Sequence, residues 1–234
     1  MNSFSGKIKF EVLFEDDDLF VLNKQAAIHS VMLTDSDLDD SVAKYLNDTF
    51  PFLREVSDKV EDGALVHRLD FDTSGCLLGA KKRSVWLSLF EALKNGEIHK
   101  TYLALVEGRL ITPRHLETFI GAKGRHSKKV QVVRDKRFDR TLPAVSDFFP
   151  LKFYKESDTS LVLAKAPTAR RHQIRAHLSY IGFPLIGDIL YGSKRKFEFS
   201  DKRSFFLHAK SLKFKHPVTG EGVIVEAPHK EFEV

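Results

Sequence analysis

Sulfur is scarce in this chain: its 234 residues include one cysteine, Cys76, and two methionines. A lone cysteine excludes a disulfide framework, and with it the small secreted scaffold such a framework supports. Long apolar runs are missing too. Stretches such as Leu161–Leu163 and Phe205–Leu207 fall far short of the roughly 18 apolar residues that a membrane-crossing helix needs. Met1–Phe10 has no apolar segment of the secretory-signal type. The expected setting is a reducing cytoplasm, with no membrane partner.

Metal and nucleotide patterns are absent as well. Ten histidines are scattered without HExxH or a cysteine pair, so the usual structural zinc sites are excluded and no metal is expected. Neither GxGxxG nor GxxxxGK(S/T) occurs, which argues against a dinucleotide or ATP. No cofactor is expected. There is no internal repeat and no linker rich in Gly, Pro or Ser; one catalytic-size domain over residues 1–234, acting as a monomer, is the simplest organisation.

What is present is ordinary globular chemistry, 42% hydrophobic and 29% charged, with a net charge of +5 that conceals an asymmetry. Residues 1–62 hold 6 Lys/Arg against 14 Asp/Glu, a net −8, so residues 63–234 carry +13. Two stretches concentrate the positive charge: 121–140 with 8 basic and 2 acidic residues, and 168–203 with 8 and 3. A basic surface of this kind suits a polyanion, and equally a solvated face that binds nothing in particular.

Apolar alternation predicts strands at Phe10–Phe14 and Leu19–Asn23, joined as a hairpin through acidic residues 15–18. Helical spacing predicts helices over Ser41–Phe50, entered through Asp39 and Asp40, and over Arg83–Lys94, with Trp86 in the core. Short strands follow at His99–Val106, Glu117–Ile120, Lys129–Val133, Val145–Tyr154 and Ser160–Ala164. A third helix runs from near Thr168 to the Gly182-Phe183-Pro184 stop, and strands return at Ser204–His208, Lys213–Lys215 and Val223–Glu226. This is an α+β fold, a mixed and mainly antiparallel central sheet with a few flanking helices.

The most informative segment is Val66–Ala80, VHRLDFDTSGCLLGA. Apolar residues on both sides of a polar centre predict strand, turn, strand, a scaffold able to present a reactive side chain. Asp70 is the best placed for that. With Asp72 it could form a glycosidase-like carboxylate pair, or both could be turn residues bonding nearby backbone N–H groups.

His67-Arg68-Leu69-Asp70-x-x-Thr73-Ser74-Gly75 resembles the HRLDxxTSG motif of the RluA-type pseudouridine synthases. Further pieces follow in that family's order: Asn23-Lys24, then Lys100-Thr101-Tyr102-Leu103-Ala104-Leu105-Val106-Glu107-Gly108, then Arg170-Arg171-His172-Gln173-Ile174-Arg175-Ala176-His177-Leu178, then residues 187–192, 207–209 and 216–217. Gln25, Ala27 and Ala169 depart from the usual Pro, Gly and Gly. An S4-like RNA-binding domain, carried by many members, is expected to be absent, since the catalytic opening begins within the first dozen residues.

The resemblance implies isomerisation of a uridine in structured RNA, tRNA or rRNA, without a cofactor. It implies that Asp70 is the catalytic carboxylate, that Arg175 keeps it charged, and that Tyr102 stacks on the uracil. Arg68 would steady the stack left by an extruded uridine, His67 would order the turn, and Ile174 would wall the pocket. Thr73, Arg170 and Gln173 are further candidates for substrate binding. Lys123, Arg125, Lys128 and Lys129, and separately Lys194, Arg195 and Lys196, are candidates for phosphate contacts, which position RNA without reading its sequence. A different reading keeps the fold but not the chemistry: a non-catalytic RNA-binding or remodelling protein.

Overall fold

The computed structural model describes residues 10–33, 40–124, 127–136, 141–196 and 203–229. In chain order the elements are β1 (Glu11–Glu15), β2 (Leu19–Lys24), α1 (Val42–Thr49), β3 (Ser74–Ala80), α2 (Arg83–Lys94), β4 (His99–Glu107), β5 (Arg114–Gly121), β6 (Gln131–Val133), β7 (Leu142–Tyr154), β8 (Thr159–Lys165), α3 (Gln173–Tyr180), β9 (Leu207–Lys215) and β10 (Gly222–Glu226), with short 3-10 turns at Pro51–Glu55, Val60–Asp62 and Ile189–Tyr191. The expected α+β architecture is present. Where the sequence offers one domain without a linker, the described residues form two compact units, one from residues 10–98 and 209–229, the other from 99–208.

In the first unit β1 and β2 form the expected antiparallel hairpin, and β2 runs antiparallel to β3. β9 follows β3 in the strand order, with β10 antiparallel beside it. α1 opens at Ser41, whose hydroxyl accepts the Lys44 N–H at 3.1 Å; that short side chain satisfies an amide which the helix itself cannot. α2 buries Trp86, Leu89 and Leu93 of the stripe Trp86, Leu89, Phe90 and Leu93 that its spacing predicts, with Val85 added and Phe90 half-buried, and the Trp86 indole donates to the Leu65 carbonyl at 2.9 Å. Cys76 lies on fully buried β3, its S–H 3.7 Å from the carbonyls of Lys210 and Val225. Burial pushes that thiol up to about 12.

The second unit is a meander ordered β4-β8-β7-β5-β6, antiparallel at each pairing with a described register. Side chains alternate across β4. Ala104 and Val106 enter one core with Ile174, Leu178 and Phe205, and Tyr102 packs against it; Leu103 and Leu105 enter another with Ile186 and Phe206. α3 closes the first of these cores.

Three expectations need correction. Val66–Asp70 is not a strand: of this segment, Val66 reaches β3 through its N–H on the Leu78 carbonyl, while Leu69 bonds through both backbone groups to the Ser30 hydroxyl and the Asp70 carbonyl accepts the Thr73 N–H. The third helix starts at Gln173 rather than near Thr168, because His172 sits at φ 53, in the left-handed region where an α-helix cannot pass. The strands expected at Ser204–His208 and Lys213–Lys215 are one strand, β9, since Lys210 and Ser211 continue the pleat between them.

Candidate active site

In the first unit the motif turn is built to hold Asp70. The Ser30 hydroxyl donates to the Leu69 carbonyl and accepts the Leu69 N–H, both at 2.9 Å. On the other side, the ammonium of fully buried Lys24 donates to the carbonyl of Phe71 at 3.1 Å, and to those of Ile28 and Gln25 at 2.7 and 2.8 Å. Asp70 therefore lies between two residues whose backbones are clamped from sequence-distant positions, and its own carbonyl accepts the Thr73 N–H at 3.0 Å. A carboxylate on such a frame loses little freedom when it meets a substrate. His67 accepts the Leu78 N–H at 3.2 Å through Nε2, which leaves Nδ1 to carry the ring proton. That contact ties the turn to β3. Gly75 is required here: at φ 106, a Cβ would stand 2.3 Å from the Ala209 carbonyl oxygen.

Arg68 is exposed. Thr73 is buried, and its hydroxyl, like Oδ1 of Asp72, has no hydrogen-bond partner among the described residues. Such a group costs stability, about 1–3 kcal/mol for a buried polar atom left unpaired, and recurs at sites where a ligand or water completes the set.

In the second unit, β4 and α3 position the other candidates. Tyr102, half-buried, lies opposite Ala164 of β8 and packs against the core that holds Ile174. Ile174 is a core residue of this unit. Arg175 is buried and grips both oxygens of Asp188, Nε to Oδ2 at 2.7 Å and Nη2 to Oδ1 at 3.0 Å. Its guanidinium also lies over the rings of Phe205 and Tyr191, 4.3 and 5.0 Å from their centres. Asp188 is a partner that the sequence reading did not assign; thirteen positions separate the two, and only the fold pairs them.

Gln173 is fully occupied by the protein. Its amide donates to the Val145 carbonyl and the Ser146 hydroxyl at 2.8 and 2.9 Å, and its oxygen accepts from Thr168 and from the Arg170 N–H at 2.9 and 3.1 Å. All four of its hydrogen-bonding positions are thus used, so it shapes the loop ahead of α3 instead of offering a free amide to substrate. Arg170 donates to the Pro143 carbonyl at 2.9 Å. Lys100, which the sequence reading quoted only as part of a motif, is 4% exposed, with its ammonium 3.5 Å from the Thr168 carbonyl. Burial, aided by nearby Arg170, pulls its pKa down to about 8. A lysine in a strand whose centre is the apolar run Tyr102–Val106 was the available signal.

Lys123, Lys128 and Lys129 are exposed on the segment between β5 and β6; Arg125 lies outside the described residues. Of the second basic group, Lys194 and Lys196 are exposed, while Arg195 is tied to the Ser157 carbonyl and to Asp158. Among the described residues one set brings possible metal ligands together, Asp16, Asp18 and His216, within 4.8 Å. Its atoms already serve the protein: Asp16 accepts from the Asp18 and Leu19 N–H groups and pairs with His216, and Asp18 pairs with Lys82. Burial works against the Asp16 charge, but those backbone donors and His216 together hold its pKa below the usual value.

The sequence pattern described as RNA pseudouridylate synthase matches residues 18–180, which include the motif turn, β4 and α3. The chain belongs to this family. Similar proteins include Ribosomal large subunit pseudouridine synthase C of Pasteurella multocida (strain Pm70), 37% identical over 228 residues that cover 95% of this chain and 65% of that protein. Another is the Uncharacterized RNA pseudouridine synthase YlyB of Bacillus subtilis (strain 168), 34% identical over 94% of this chain and 69% of that one. The solved structure of Human RNA Pseudouridylate Synthase Domain Containing 1 superimposes with a TM-score of 0.70 at 26% identity, over 98% of this chain and 86% of that one. The chain spans about two thirds of the length of the first curated relatives, 65% in the Pasteurella protein. Against the pseudouridine synthase pattern, Ala27 stands where glycine is usual and has φ 58, a left-handed conformation that costs an L-residue about 1–2 kcal/mol. Ala169 is not among the positive-φ residues, so the missing glycine costs nothing comparable there.

Proposed function

We propose that this chain isomerises a uridine of structured RNA to pseudouridine, with Asp70 as the catalytic carboxylate. The observation that carries the reading is the clamped motif turn, in which Ser30 and Lys24 fix the residues on either side of Asp70. The reaction balances without a metal, a nucleotide or an oxidant: the N1–C1′ bond breaks, the uracil turns, C5 bonds to C1′, and the hydrogen on C5 is given up to solvent while N1 gains one. A single carboxylate can act in this as nucleophile or as stabiliser of positive charge at the sugar. Arg175 and Tyr102 take the other two catalytic roles that the resemblance implies, a cation and a stacking surface for the base. Arg68, His67, Thr73 and Ile174 serve the same nucleotide, and Lys123, Arg125, Lys128 and Lys129 the RNA backbone.

Ribosomal RNA is the substrate class we favour over tRNA, because relatives spanning most of the chain are named for the ribosomal large subunit. We place the reaction in the cytoplasm and assign it to a monomer. The deciding experiment uses ribosomal RNA labelled with tritium at uridine C5, since isomerisation releases that hydrogen and mere binding does not. Wild-type protein should release tritium. Asp70→Asn should keep its melting temperature and its RNA affinity, while release falls by at least about a hundredfold. Appreciable turnover by Asp70→Asn refutes the role of Asp70, and RNA binding with no release by the wild type points to the non-catalytic alternative.

A further inference from the structure

The second unit carries a cleft that none of the three catalytic candidates lines; of the residues assigned above to RNA, Lys129 borders it. Its walls are the last turns of α3 (Ala176, Ser179, Tyr180), the 3-10 turn at Ile189–Tyr191, and Lys129–Val132 leading into β6, and its volume is about 590 Å³. That lies within the range of small-ligand sites.

Three large apolar side chains face water there: Tyr180 is 44%, Ile189 53% and Leu190 38% exposed. Their grouping is a feature that needs an occupant, since scattered single apolar residues are normal on a surface but a contiguous set marks a contact. The walls are fixed in advance. The Tyr191 hydroxyl accepts the Val130 N–H at 2.9 Å and meets His172 Nδ1 at 3.0 Å, and the Ser179 hydroxyl donates to the Tyr191 carbonyl at 2.5 Å. One side chain and one backbone carbonyl of Tyr191 thus join all three walls.

The rim is basic. Lys129 lines the cleft and Lys128 precedes it, both exposed. Arg134 donates to the Tyr180 hydroxyl at 3.1 Å, and exposed Arg171 reaches the Ser127 carbonyl at 2.7 Å. Asp135 is the exposed acid beside them, and Asp188 is buried against Arg175. An aromatic and aliphatic floor bounded by cations fits a polyanion with flat apolar groups, the chemistry of unpaired RNA, in which bases stack and phosphates pair. A second copy of this chain fits poorly, because the same positive charge would meet itself across the contact.

We propose that this cleft is a second RNA-binding site, which takes one or two unpaired nucleotides other than the one isomerised. Their bases lie against Tyr180, Ile189 and Leu190, and their phosphates against Lys129 and Arg134. The proposal rests on the reading of the chain as an enzyme of RNA, but not on Asp70 being its catalyst.

The test is binding of a fluorescein-labelled twelve-nucleotide oligouridylate, followed by anisotropy, with 4-thiouridine photocrosslinking to locate the contact. Tyr180→Ala and Leu190→Glu should each weaken binding about tenfold, and the crosslink should fall in the peptides that carry Tyr180 and Leu190. Thermal melting checks that the variants fold; if Tyr180→Ala does not, Ile189→Glu, at the most exposed of the three positions, replaces it. Asp70→Asn should bind the oligonucleotide as the wild type does, so a failure of the catalytic reading leaves this result readable. Affinities of the cleft variants within twofold of the wild type, or crosslinks confined to other peptides, overturn the proposal. So does a wild-type dimer that Leu190→Glu converts to a monomer with unchanged RNA affinity, since the occupant is then a second copy.

Discussion

Among side chains, the buried pair of Arg175 and Asp188 has a large energetic consequence. Both are nearly inaccessible, with side-chain exposures of 8% and 2%. Two ions taken out of water are tolerated when their geometry is close to ideal, as the two-pronged contact here is. Truncation of Asp188 takes both of these contacts from a guanidinium that stays buried. Asp188→Ala should therefore destabilise the protein by about 3–5 kcal/mol, seen as a lower urea midpoint with an unchanged slope. A loss below about 1 kcal/mol would mean that the guanidinium finds its main support elsewhere. Residues of this kind were hard to read from the sequence. Asp188 and Lys24 stand in pieces that the resemblance picks out, residues 187–192 and Asn23-Lys24, but without a role, and Ser30 stands far from the motif it braces. Asp70, His67 and Gly75 were legible because the turn's chemistry is written into contiguous residues.

At the scale of elements, strands and helices were read well where apolar spacing decides them. α2 runs from Arg83 to Lys94 as its stripe requires, and β1 with β2 forms a hairpin because both strands alternate across a polar link. α3 was read less well at its start, where a left-handed His172 and the amide of Gln173, both tertiary choices, set the boundary. The same helix holds a pH-dependent joint. His177, fully buried, bridges to Thr118 of β5 through Nε2 at 2.8 Å and to Ser146 of β7 through Nδ1 at 2.9 Å. Burial lowers its pKa to about 4 from the usual 6.5. The unfolded chain then binds a proton more readily than the folded one, so the neutral histidine's contribution is complete above about pH 6.5 and is lost as pH falls toward 4. Stability should drop by about 1.4 kcal/mol per pH unit across that window. Denaturant titrations at pH 7.5 and pH 5, compared with His177→Gln, check this: the variant should lose that part of the slope, and an identical slope in both proteins would remove His177 as its source.

At the scale of the whole molecule, the chain closes its first unit with residues from both ends, since 209–229 return to join residues 10–98 while 99–208 form the other unit. The motif turn thereby depends on sequence far downstream, as the approach of Ala209 to Gly75 illustrates. The excess positive charge of residues 63–234 would give the RNA of the proposed reaction a long-range attraction that falls with salt. A consequence of a different sort follows from Cys76, the lone thiol, shut beneath β9 and β10 and raised to about 12. A thiol reagent must wait for those strands to part, so its uptake is a clock for opening of the first unit. At pH 8, modification should lag a free thiol by at least about a thousandfold and accelerate in step with urea unfolding; prompt modification of the folded protein would show that this corner of the sheet breathes on its own.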